Sequence, residues 1–211
     1  MIRNCKILGL VLGAAMALSA VMASAALAVP QYTSSSYPFT VTGLNAKGSE
    51  SFSTEAGKIE CDSHYVSHSL SAAGSTLTVT PAYTNCSAFG FAPTLNNEGC
   101  GYVFHATERV GAGVYRHHVS VSCGAGKSMK WTAGTCKFEI KPQTGLTTAE
   151  STNLAAGTVT VQLNVQKIAY TVTQDGFGCP FTGTGNKTDG SFTGHIVLAK
   201  VGGGSVSVSG E

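Results

Sequence analysis

Apolar residues along this chain alternate with hydroxyl-bearing ones instead of recurring at three and four, so the pattern predicts strands and almost no helix. Thr76 to Tyr83 is representative: Leu77, Val79 and Pro81 face one way while Thr76, Thr78 and Thr80 face the other. The same reading marks Tyr37 to Leu44, Ser49 to Thr54, Lys58 to Cys61, Tyr65 to Leu70, Tyr102 to Thr107 and Val114 to Cys123. It continues with Ser128 to Thr132, Cys136 to Ile140, Thr158 to Val165, Ile168 to Thr173 and Ser191 to Val201. Turn-forming pairs separate them, among them Ala73-Gly74, Asn96-Asn97, Gly124-Ala125, Asp175-Gly176 and Asp189-Gly190. Many short strands at this spacing predict an all-β fold, an antiparallel β-sandwich or Greek-key barrel. Thr147 to Ala156 is the one segment with helical composition, and residues 202–211 read as a flexible tail.

Ahead of the strands stands a different pattern. Arg3 and Lys6 precede an apolar run from Ile7 to about Met22, and Ala23-Ser24-Ala25-Ala26-Leu27-Ala28 then supplies small residues at signal-peptidase spacing. The expectation is a signal peptide over residues 1–28, with Val29 as the first residue after cleavage and no membrane span left behind. One β-rich domain would then occupy residues 29–201, with a subdivision near 141–157 as an alternative.

Cysteine usage agrees with export. Six of the seven cysteines follow the signal: Cys61, Cys86, Cys100, Cys123, Cys136 and Cys179. An even number in an exported chain predicts three disulfides, each contributing about 2–4 kcal/mol, and a secreted location, or a periplasmic one where an outer membrane exists. Short closures are preferred on loop length: Cys86 with Cys100 and Cys123 with Cys136, leaving Cys61 with Cys179 as a long tie.

Charge narrows the partners. The chain carries 13 basic and 11 acidic residues; loss of Arg3 and Lys6 leaves the rest formally neutral, with dispersed lysines and no basic face. Nucleic acid is therefore not an expected partner.

The stretch Asn85-Cys86-Ser87-Ala88-Phe89-Gly90-Phe91, with Gly99-Cys100-Gly101-Tyr102-Val103-Phe104-His105 and Val121-Ser122-Cys123-Gly124-Ala125-Gly126-Lys127, resembles a group of secreted bacterial proteins of unknown function. Tyr170-Thr171-Val172 and Cys179-Pro180-Phe181-Thr182-Gly183-Thr184-Gly185 are similar to the same group. The resemblance implies a secreted β-rich fold with these cysteines and brings no activity.

Apparent motifs dissolve on inspection. Gly124 to Ser128 looks like the end of a phosphate loop, but the first glycine of that motif falls on Val121. His64 and His68 have zinc spacing only on a helix; on a strand they stand about 13 Å apart. His117 and His118 are strand neighbours that face opposite ways. No serine occupies a nucleophile elbow, and Glu139 with Glu60 is a conceivable pair of glycosidase acids that nothing in the spacing suggests. No catalytic residue, metal or cofactor is expected. Phe89 and Phe91 are either a lid on the core, the commoner outcome for large apolar side chains under a loop, or, with Tyr83 and Tyr102, a ligand platform, because aromatics stack on sugar rings. The functional expectation is a non-catalytic module that is structural, adhesive or ligand-binding, with a polysaccharide or cell-surface partner; a secreted hydrolase is the alternative.

Overall fold

The computed structural model describes residues 28–210, in which every regular element is a strand. The first part of the chain forms β1 (Gln31–Ser34), β2 (Val41–Asn45), β3 (Glu50–Thr54), β4 (Gly57–Ser67) and β5 (Thr76–Ala88). The middle forms β6 (Thr94–Asn96), β7 (Gly101–Gly111), β8 (Val114–Ser122), β9 (Met129–Ala133) and β10 (Cys136–Ile140). The last part forms β11 (Gln143–Asn153), β12 (Val159–Asp175), β13 (Gly185–Lys200) and β14 (Val206–Ser209). All pairings are antiparallel, and they close: β13 pairs with β3, then β4, β5, β7, β8, β11 and β12 follow in order, and β12 returns to β13. Such closure leaves no free edge among those eight strands. The expected all-β, antiparallel, disulfide-stapled fold is what the chain adopts. The expected signal peptide lies almost wholly outside the described residues.

Inward positions of the circuit follow the alternation. On β12, Val159, Val161, Leu163 and Val165 are buried on every second residue; the sequence then slips by one, and Ile168, Tyr170 and Val172 resume. The slip is a β-bulge at Lys167, whose φ of 59° lies in the left-handed region. It lets one long strand serve two parts of the core. Leu163 and Val165 line an apolar region with Phe104, Val119 and Val121, while Tyr170 joins an aromatic cluster centred on Phe138. Phe138 stacks on Trp131 and on Phe52 and meets Tyr170 and Phe181 edge-on, all at 5.6–6.0 Å between ring centres.

Three expectations fail. The 147–156 segment is not helical: β11 runs to Asn153 between β8 and β12, so no boundary falls there. Its inward residues, Ala149 and Ser151, are small, and the apolar side of the alternation is hidden in composition. Nor is the tail free. Val206 and Val208 are buried where β14 pairs with β1, after a run of glycines that masks a short strand.

The third failure is the disulfide pairing, which is Cys61–Cys86, Cys100–Cys123 and Cys136–Cys179. Strand register, not loop length, decides it. Gly101 opposes Ser122, so Cys100 and Cys123 close the open end of the β7–β8 hairpin, and Cys61 on β4 meets Cys86 on β5 at the bulge beside Asp62. Cys136 opposes Asp175, and the turn after β12 brings Cys179 back to it. Digestion without reduction should release these three linked peptide pairs; a Cys86–Cys100 peptide would overturn the assignment. Three bridges are the pattern of an oxidising compartment, and among the described residues no helix is long and apolar enough to cross a membrane.

A candidate binding furrow

Strict alternation on β8 sends Tyr115, His117, Val119 and Val121 inward. Its other face carries Arg116, His118, Ser120 and Ser122 in one row, of which Ser120 is itself buried, beside His105. Two concavities lie along this row. The larger, about 700 Å³, is lined by Arg116 and His118 with Glu108 from β7, Thr148 and Glu150 from β11, and Gln162 and Asn164 from β12. The smaller, about 440 Å³, is mainly apolar: Val103, Val121, Cys123 and Pro142 line it together with Ser120, Ser122, His105, Gln143 and Thr144. From Arg116 to Ser122 the row extends about 20 Å at the rise of a strand. Its two neighbours are both irregular: β7 shifts register between Ala106 and Glu108, and β11 shifts twice between Gln143 and Ala149. Bulges bend strands, which accounts for a hollow in place of a flat sheet.

Arg116 anchors the wider end. Its guanidinium donates to Glu108, and its second nitrogen lies 3.8 Å from Glu150. Both acids remain about half exposed, so the pairs are worth little for stability. Their value is geometric. Arg116 is held between two carboxylates that keep free lone pairs, in a hollow that Gln162 and Asn164 also line. Planar donors and acceptors so placed suit a ligand rich in hydroxyl groups.

The four aromatics do not assemble into a platform, and of the two phenylalanines Phe89 alone packs against the core, as the lid reading has it. Tyr83 and Tyr102 share a hydrogen bond of 2.8 Å and line the interior, where burial pushes the Tyr102 phenol up to about 12. Phe89 and Phe91 do not share a face of an extended segment. Paired hydrogen bonds between Ala88 and Phe91 close a two-residue turn, with φ of 53° at Phe89 and 81° at Gly90, the signature of a type I′ hairpin. The Phe89 ring packs edge-on against Phe181, whereas Phe91 is 41% exposed. Phe89→Ala should therefore cost about 2 kcal/mol, less than a fully buried phenylalanine, and Phe91→Ala under about 1 kcal/mol. Equal costs in a urea titration would contradict this division.

The other sequence candidates are scattered. His64 bonds Thr42 at 2.9 Å. Glu139 accepts from Ser128 and pairs with Lys141, while Glu60 pairs with Lys58, so the two acids belong to separate networks. His117 and His118 do face opposite ways: the first is fully buried and the second lines the furrow.

Two buried polar clusters escape sequence reading. His117 lies between Tyr32 of β1, 3.0 Å from Nδ1, and Ser151 of β11, 2.7 Å from Nε2. Both nitrogens are satisfied when the phenol donates to Nδ1 and the Nε2 hydrogen goes to Ser151 Oγ. Burial lowers the His117 pKa to about 4 and keeps the Tyr32 phenol protonated. Glu50 is the second case. Only 4% exposed, its carboxylate accepts from Asn45 at 2.6 Å, Ser63 at 2.8 Å and Tyr65 at 2.5 Å. Desolvation raises its pKa, and the three donors pull it back. Neither cluster has a periodicity signal, because each is drawn from strands distant in sequence. No family model, curated protein or solved structure matches this chain.

Proposed function

We propose that this is a secreted, non-catalytic β-module that binds an extended, uncharged polysaccharide along the β7–β8–β11–β12 furrow. The row from Arg116 to Ser122 carries the reading: its length of about 20 Å fits several sugar units, the Arg116–His118 end offers donors and acceptors without a dominant charge, and the mainly apolar far end suits the carbon faces of a sugar ring. A charged polymer would find Arg116 already matched by two carboxylates. The export signature, the three bridges and the absence of a basic face support an extracellular setting.

The test is a binding screen of the protein lacking residues 1–28 against cell-wall and plant polysaccharides, repeated with Arg116→Ala and His118→Ala. Loss of one charge-assisted contact should weaken binding at least about tenfold, with the melting temperature nearly unchanged. No binding to any polysaccharide, or binding indifferent to both substitutions, sinks the proposal.

One observation favours a secreted hydrolase as a second reading: Glu108 and Glu150 stand on either side of Arg116 in the same hollow. Two acids across a cleft are what glycoside hydrolysis needs. Release of reducing ends from a bound polysaccharide, abolished by Glu108→Gln or Glu150→Gln, would establish it.

A further inference from the structure

We infer that His105 and His118 together form a binding site for a divalent transition-metal ion, Cu(II) above Zn(II), on the outer face of the β7–β8 hairpin. The register sets the two residues directly opposite each other. Alternation fixes the face: Phe104 and Ala106 on β7, and His117 and Val119 on β8, are buried, so His105 and His118 both project from the other side. His118 is exposed and His105 half-buried. Directly opposed residues have Cβ atoms about 4.5–5.5 Å apart, the closest approach that neighbouring strands offer. Two imidazole nitrogens on one ion lie about 3 Å apart, a separation that side chains so spaced reach by turning about χ1 and χ2.

The backbone beneath the pair is fixed. β7 and β8 are flanked by β5 on one side and β11 on the other, and the Cys100–Cys123 bridge staples the open end of their hairpin. Only the rings need to move, and little holds them. Among the described residues, the one side-chain contact of either ring is that of His105 Nε2 with Ser120 Oγ, at 3.4 Å longer than an ordinary hydrogen bond. His105 thus leans along the strand toward Ser120, and the ordinary χ1 rotamers of a strand let it lean the other way, toward His118. His117 differs on both counts, being buried and bonded at each nitrogen.

The surroundings accept a cation. Arg116, two residues from His118 in the same row, is matched by Glu108 and Glu150, so the hollow beside His118 holds two acids against one base. Ligand type then selects the ion. Neutral imidazole suits Cu(II), Zn(II) and Ni(II), whereas Mg(II) and Ca(II) take oxygen donors. No group of three or more His, Cys, Asp or Glu residues poised for a metal occurs among the described residues, so two protein nitrogens and water complete the coordination. Such an open site imposes no geometry of its own, and the intrinsic order of affinities places Cu(II) above Zn(II). The pair stands where the two concavities of the furrow meet, His118 lining one and His105 the other, but it needs no saccharide.

The test therefore contains none. The protein lacking residues 1–28 is titrated with CuCl₂, ZnCl₂ or MgCl₂ by calorimetry, with glycine present as a weak competitor against adventitious sites. Cu(II) should bind at one equivalent and more tightly than Zn(II), and its electron paramagnetic resonance spectrum should show two nitrogen ligands. His105→Ala and His118→Ala should each weaken Cu(II) binding at least about tenfold, the lower end of what losing even an outer partner of a metal site costs. His64→Ala, which removes a histidine bonded instead to Thr42, should leave it unchanged. His105→Gln and His118→Gln replace the alanine variants should either of those fail to fold. Absence of saturable Cu(II) binding, binding indifferent to the loss of His105 or of His118, or Mg(II) binding as tight as Cu(II) would overturn the inference.

Discussion

Replacing Phe138 with alanine is expected to lower the stability of the fold by about 3–5 kcal/mol, the range for a fully buried aromatic. The residue is 2% exposed, and its ring touches four others drawn from β3, β9, β12 and the loop that follows β12. Truncation therefore opens a void that no single neighbour can fill, because Trp131 and Phe52 are stacked on it from two different strands, β9 and β3, each held by its own backbone pairings. A second consequence identifies the mechanism. Trp131 loses its stacking partner, so its emission should shift to longer wavelength in the folded variant as the indole becomes more hydrated. Chemical denaturation of both proteins supplies the energy, and Tyr170→Phe serves as the control, since it keeps the ring and removes only the bond to Asp189. A loss below about 1 kcal/mol for Phe138→Ala would mean that the aromatic cluster contributes far less than its burial implies.

Acidification from pH 7 to pH 4 should remove about 3 kcal/mol of stability through His117 alone. The cause is desolvation: the buried ring has a pKa of about 4 against the ordinary 6.5. Above pH 6.5 the imidazole is neutral in both the folded and unfolded chain and contributes no pH dependence. Between 6.5 and 4 the unfolded chain binds a proton that the folded ring does not, so stability falls as pH falls. Below 4 both forms are charged, and the contribution is flat. Glu50 acts in the opposite sense, since its folded pKa is raised and acid therefore favours the fold. Comparing the protein with His117→Gln separates the two. At pH 7 the variant should be less stable, having broken the Tyr32–His117–Ser151 chain. By pH 4 the gap should narrow by about 3 kcal/mol, because glutamine does not titrate; a gap independent of pH would refute the account.

Both residues show what a linear sequence conceals. Strand character was legible wherever large apolar residues alternated with threonine or serine, as at Thr76–Ala88 and along β12. It was lost where the inward residue is small, as on β11, and where glycines precede a short strand, as before β14. The two-residue turn at Phe89 and Gly90 misled for a related reason: spacing alone places the rings on one face, whereas positive φ at both positions reverses the chain. Disulfide partners depended on register, which two bulges displace. The furrow was partly visible, because the opposite facing of His117 and His118 follows from period-two geometry. What periodicity could not supply was the neighbourhood of His118: Glu108, Glu150, Gln162 and Asn164 reach it only through pairings between β7, β8, β11 and β12. The buried Glu50 is hidden still more deeply, since a glutamate in a serine-rich strand reads as solvent-facing until its three donors converge.

The pairing of β1 with β14 bears on how the fold responds to a mechanical load. Gln31 opposes Ser209 and Ser34 opposes Val206, so the two ends of the domain leave the pair on the same side. Tension applied through them peels the ribbon one hydrogen bond at a time instead of shearing all of its bonds together. The first firm stop is Tyr32, held by its backbone bonds to Gly74 and by its phenol on His117. Beyond that stop, the stretches enclosed by the three bridges remain looped and add no length to an extending chain. A pulled molecule therefore yields early at its ends and retains a covalently limited core.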